Sequence, residues 1–138
     1  MYVFNRVCED INDWKERGLK IVPISTNFSK KNLGNPEFAV KVIETINNSK
    51  VDKSLLQIEL TESADHGDAF VFDDFLERMA VNKINTAIDD FGVGFSSLEL
   101  LKNRHISTVK LDKSFIENID ANEGANTDAY LVKNIIHT

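Results

Sequence analysis

With 138 residues, 42% of them hydrophobic and 28% charged, the chain has the composition of one soluble globular domain or part of one. A formal charge of −6 excludes a protein that grips nucleic acid through a broad basic surface, because phosphate contacts need clustered Lys and Arg. The single cysteine, Cys8, excludes an intramolecular disulfide; the start MYVFNRVCED has neither a basic n-region nor an apolar h-region, so the expectation is a reducing, cytoplasmic setting, and no apolar run approaches the roughly 20 residues that span a bilayer.

Residues 3 to 17 put Phe4, Val7, Cys8, Ile11 and Trp14 on one helical stripe, ended by Gly18, with Cys8 expected to serve packing alone. LKIVPIST (19–26) reads as a strand, and Asn35-Pro36 as the N-cap and first residue of a second helix. LLQIEL (55–60) is the next strand, followed by a helix with Val71, Phe72, Phe75, Leu76 and Met79 on one side, and by the strand INTAI (84–88). Ser96-Ser-Leu-Glu99 resembles a capping box opening another helix, STVKL (107–111) is a fourth strand, IDANEGANTD (119–128) a loop, and residues 127–137 a last helical stripe. Strands alternating with helices predict an α/β fold with parallel strands, either an open doubly wound sheet or a (β/α)8 barrel. Four strands cannot close a barrel, which takes about 250 residues, so the barrel reading makes this chain about half of one.

Each predicted strand carries a polar residue at or near its carboxyl end: Asn27, Glu59, the pair Asp89 and Asp90, and Lys110. Glu59 lies between Ile58 and Leu60, and Lys110 between Val109 and Leu111, so both are expected to be buried and to need partners. Singly, the acid pair reads as a solvated cap and the Glu or Lys as half of a structural ion pair. Jointly they fall on the rim where parallel α/β folds build their sites. Three acids and an amide gathered there would repel one another without a hard cation, and Mg²⁺ or Mn²⁺ prefers such oxygen ligands. A phosphate ester is the substrate class that fits, since the metal would offset its charge and activate a water, with Lys110 orienting that water or offsetting transition-state charge. Gly92-Val-Gly94 lacks the third glycine of a dinucleotide-binding turn, and His66, His105 and His137 have no metal-ligand spacing.

The stretches ISTNFS (24–29), IELTES (58–63), AIDDFGVGFSSL (87–98) and VKLDKSFI (109–116) resemble the EAL domain, the bacterial phosphodiesterase family that linearises cyclic di-GMP, over residues 3 to 138. The resemblance implies a TIM-like barrel and metal-assisted hydrolysis to linear pGpG. It implies that Asn27, Glu59 and Asp89 ligate one Mg²⁺ or Mn²⁺, that Asp89 bridges to a second metal also held by Asp90, and that Lys110 holds the attacking water. Glu62 would pin the loop 90–97, through which the family couples its metal site to homodimerisation. The Glu-Ala-Leu motif that names the family is absent, and a late metal-binding glutamate would fall past Thr138. The metal shell is therefore expected to be incomplete and the 138 residues inactive by themselves. Val93 stands where threonine is common. Two other expectations are set against hydrolysis: a degenerate EAL domain that binds cyclic di-GMP or a protein partner without cleavage, and a truncated product that associates through open sheet edges.

Overall fold

The computed structural model describes residues 1–61, 69–91, 105–113 and 117. Three α-helices and four strands are described: α1 (Tyr2–Glu16), β1 (Ile24–Phe28), α2 (Glu37–Ser49), β2 (Leu56–Thr61), α3 (Ala69–Val81), β3 (Asn85–Phe91) and β4 (Thr108–Leu111), with short 3-10 turns before α2 and β2. The expected elements at Ser96–Glu99, 119–128 and 127–137, Glu62, His66 and His137, and the 92–97 part of the loop lie outside the described residues.

The helix signals are realised locally. Phe4, Cys8 and Ile11 of the α1 stripe are buried, with Val7 and Trp14 packed at the margin. Burial pushes the Cys8 thiol up, offset in part by a hydrogen bond with Ser49 of α2, as suits a packing residue. After Arg17, Gly18 turns left-handed at φ 68°, its N–H donates to Lys15 O, and the Leu19 N–H donates to Trp14 O at 2.9 Å. That pair of bonds is a Schellman closure, and it commits residue 19 to the helix exit. The first strand accordingly starts at Ile24 and not at Leu19: residues 19–23 are the connection, and Pro23 has no N–H to give a ladder. Asn35 caps α2 as expected, its Oδ1 accepting the Glu37 N–H at 3.0 Å. A second Schellman closure ends α3, with Lys83 taking the left-handed position usually held by glycine.

The four described strands pair parallel in the order β1-β2-β3-β4. A doubly wound sheet reverses its strand order at a switch point and carries helices on both faces. Here the order never reverses, and one line of rings joins the helices to a single face: Phe4 of α1 meets Phe28 of β1 with centroids 5.5 Å apart, Phe28 meets Phe38 of α2 at 5.1 Å, and Phe38 stacks on Phe75 of α3 at 5.7 Å. Of the two architectures open from sequence, this is an arc of a barrel. The core lies between that face and the helices, where Phe28, Ile58, Leu60 and Ile88 are buried. The alternate residues of the same strands are left to the other face.

Candidate active site

Register fixes what that other face presents. Asn27 is the neighbour of Glu59, Glu59 of Ala87, and Ala87 of Thr108, while Thr61 is the neighbour of Asp89. Asn27, Glu59, Asp89 and Lys110 therefore share one side of the sheet, near the carboxyl ends of four consecutive strands.

Two adjacent acids follow Ile88 because β3 bulges there. Ile88 pairs with Val109 and Phe91 with Leu111, so Asp89 and Asp90 together stand opposite Lys110 alone. The extra residue is taken up by Asp90, left-handed at φ 54°, whose N–H donates to its neighbour Asp89 Oδ1 at 3.0 Å. Aspartate tolerates this conformation better than most side chains, and a bulge re-aims the residues that flank it. Asp89 is partly buried and Asp90 exposed.

Glu59 is the most enclosed member, 2% exposed on the middle of the sheet. Lys110 Nζ reaches it across β3 and donates to Oε1 at 2.5 Å. Burial pushes the Glu59 carboxyl up, but hydrogen bonds from Lys110 and Ser25 and the lysine's charge outweigh it, leaving the group below its ordinary range. The same bond to Glu59 holds the Lys110 ammonium above its ordinary value against partial desolvation, with Asp89 and Asp90 adding to the pull. Lys110 was expected to be buried between its apolar neighbours; its side chain is 44% exposed, because β4 is the last described strand and the lysine lies on the polar face.

Of the expected site residues, Glu59 and Lys110 are in contact, Asn27 and Asp89 are aligned with them on the same face, Asp90 stands exposed in the bulge beside Asp89, and Glu62 lies outside the described residues. Among the described residues no three His, Cys, Asp or Glu side chains gather as a metal-binding group. The donors aligned on this face are an amide, a buried carboxylate and the bulged aspartates, a hard-oxygen set of the kind that suits Mg²⁺ or Mn²⁺. Sequence reasoning passed over Gln57, Thr108 and Ser25, which line the same face one step below.

The EAL domain family matches residues 1–137. The chain belongs to the EAL domain family. Members of this family are generally metal-dependent cyclic di-GMP phosphodiesterases. The chain is 36% identical over 124 residues to an uncharacterised signalling protein of Caulobacter vibrioides, a match covering 90% of this chain and 15% of that protein. It is also similar to the cyclic di-GMP complex of the phosphodiesterase PaMucR, at 27% identity and a TM-score of 0.75, covering 99% of this chain and 57% of that one. The EAL domain of Mycobacterium smegmatis DcpA is likewise similar, at 26% identity and a TM-score of 0.78, covering 99% and 60%. EAL neighbours are TIM-like barrels, and this EAL chain spans about half of them. No helix among its described residues is long and apolar enough to cross a membrane.

Proposed function

We propose that this EAL chain contributes the metal-binding and water-orienting half of a phosphodiesterase that opens cyclic di-GMP to linear pGpG. The observation that carries the reading is the buried Glu59 carboxylate, paired with Lys110, with Asn27 beside it on β1 and the bulged Asp89 two residues past its β3 neighbour Ala87, on the polar face of the barrel arc. A carboxylate buried in an arc of this kind is costly unless a cation meets it. Lys110 is that cation here, and its exposed, flexible stem lets it withdraw when a stronger cation arrives.

Asn27, Glu59 and Asp89 would hold one Mg²⁺ or Mn²⁺, with Asp89 and Asp90 shared with a second. Bound there, the metal would supply charge neutralisation for the phosphoryl oxygens and a water acidic enough to attack at neutral pH. Lys110, freed from Glu59, orients that water through its N–H donors and keeps a positive charge beside the developing oxyanion. A role for Glu62 in pinning the loop 90–97, and pairing of two EAL copies through that loop, belong to the same proposal, as does a cytoplasmic location.

The test is chromatography of cyclic di-GMP incubated with Mn²⁺ and a whole EAL domain that contains this chain, against its Asp89→Asn variant. The expected outcome is pGpG from the parent, lost with the chelator EDTA and reduced at least 100-fold in Asp89→Asn. Cyclic di-GMP bound but left intact by the parent would put the receptor reading in its place.

A further inference from the structure

Two residues before every strand-end member of the site stands a smaller or neutral one: Ser25 before Asn27, Gln57 before Glu59, Ala87 before Asp89 and Thr108 before Lys110. A strand period of two puts these on the same polar face, in a row one step nearer the amino ends. The row is hydrogen bonded across the sheet. Ser25 Oγ lies 2.9 Å from Gln57 Oε1 and has one proton to give to it or to Glu59, and Gln57 Nε2 donates to Thr108 Oγ1 at 3.2 Å.

Gln57 belongs to β2 and Thr108 to β4, so the amide must pass over β3, as the Glu59–Lys110 contact does. On β3 the neutral bridge runs from beside Asn85, the neighbour of Gln57, and between the two bridges lies Ala87, fully buried and in register with Glu59 on one side and Thr108 on the other. A longer side chain at this position would stand in their path. The two bridges run side by side with the same separation of 51 residues, one neutral and one charged. They differ in exposure and in geometry, the neutral bridge being solvent-exposed and the charged one part-buried. A lysine on four rotatable bonds can meet its partner in several arrangements. A planar amide with one partner on each side has a single orientation that satisfies both.

We infer that the Ser25–Gln57–Thr108 row is a positioning element for the site, fixing the span between β2 and β4 at which the Glu59 carboxylate and the Lys110 ammonium stand during phosphodiester hydrolysis. The inference rests on the function proposed above. None of the three carries a charge, and Ser25 also hydrogen-bonds Glu59 itself, so their effect passes through the pair above them.

The experiment compares Thr108→Val, Gln57→Met and Thr108→Ser in a whole EAL domain that contains this chain. It measures kcat and KM for cyclic di-GMP with Mn²⁺, the melting temperature, and, without metal, acetylation of Lys110 relative to Lys41 by mass spectrometry. Thr108→Val and Gln57→Met should lower kcat roughly tenfold with KM within about twofold, the pattern of misplaced groups and not of lost binding. Both should raise Lys110 acetylation several-fold, while Thr108→Ser, which keeps the hydroxyl, matches the parent in both readouts. Parental kcat and parental Lys110 labelling in Thr108→Val would overturn the inference, whatever its melting temperature. A parent that does not cleave cyclic di-GMP would overturn the proposed function instead, and the labelling ratio would still decide whether the row positions the pair.

Discussion

The two faces of the sheet are built from alternate residues of the same strands and obey opposite rules. On the helix side, Phe28, Ile58, Leu60 and Ile88 are buried against an aromatic line that ties α1, α2 and α3 to the strands. On the other side, polar groups span the strands in two rows, with one enclosed carboxylate at the centre. Parallel sheets usually bury apolar residues on both faces. A polar row hydrogen bonded from β1 to β4, with the small Ala87 beside it on β3, sets the second face apart from that pattern. Apolar packing is concentrated on one face and the site proposed above on the other.

The largest effect should come from damaging the helix face. Leu60→Ala removes a fully buried side chain directly after Glu59 and should cost about 2–5 kcal/mol in urea unfolding. A loss under about 1 kcal/mol would mean that the helix face does not carry the stability assigned to it.

A smaller, pH-dependent loss should follow from the polar face. Because the Glu59 carboxyl lies below its ordinary value of 4.5, its stabilisation is present above that range and fades as pH falls through the folded-state value. Because Lys110 lies above its ordinary 10.5, its stabilisation is complete below that pH and fades as pH rises through the raised value. Lys110→Met should therefore cost about 1–2 kcal/mol at pH 7, discounted from a fully buried pair because the lysine is half-exposed. Burial then acts alone on Glu59, its carboxyl should move up, and the gap from the parent should narrow toward pH 4. A gap in urea midpoints that stays constant from pH 7 to pH 4 would contradict the pairing.

The smallest effect has the opposite sign. Thr26 points to the helix face, and its buried hydroxyl has no hydrogen-bond partner among the described residues. Thr26→Val should raise stability by about 1 kcal/mol, whereas a loss would show that the hydroxyl is satisfied.

Much of this was legible before any coordinates. The stripe of α1, the cap at Asn35 and the four strand-end residues follow from side-chain period and from the local chemistry of turns. The start of β1 was not, because the Schellman closure at Gly18 and the missing N–H of Pro23 overrode the apolar look of residues 19–23. Nor was the role of the acid pair, since a bulge exists only relative to the partner strand, and Lys110 is 20 residues further along the chain. Sequence also left barrel and doubly wound sheet open, a choice that strand order and helix placement decide. The lower row did leave a signal: a neutral or small residue two positions before each site residue. Its meaning depends on Gln57 and Glu59 reaching across β3 on either side of Ala87, which only register reveals.

The most direct test of the central claim, that a metal on the polar face displaces Lys110 from Glu59, is anomalous diffraction from crystals of the chain with Mn²⁺. The account predicts a peak contacted by Asn27, Glu59 and Asp89, with Lys110 Nζ moved off Glu59 Oε1. A fully occupied peak elsewhere, with the Glu59–Lys110 pair intact, would contradict it.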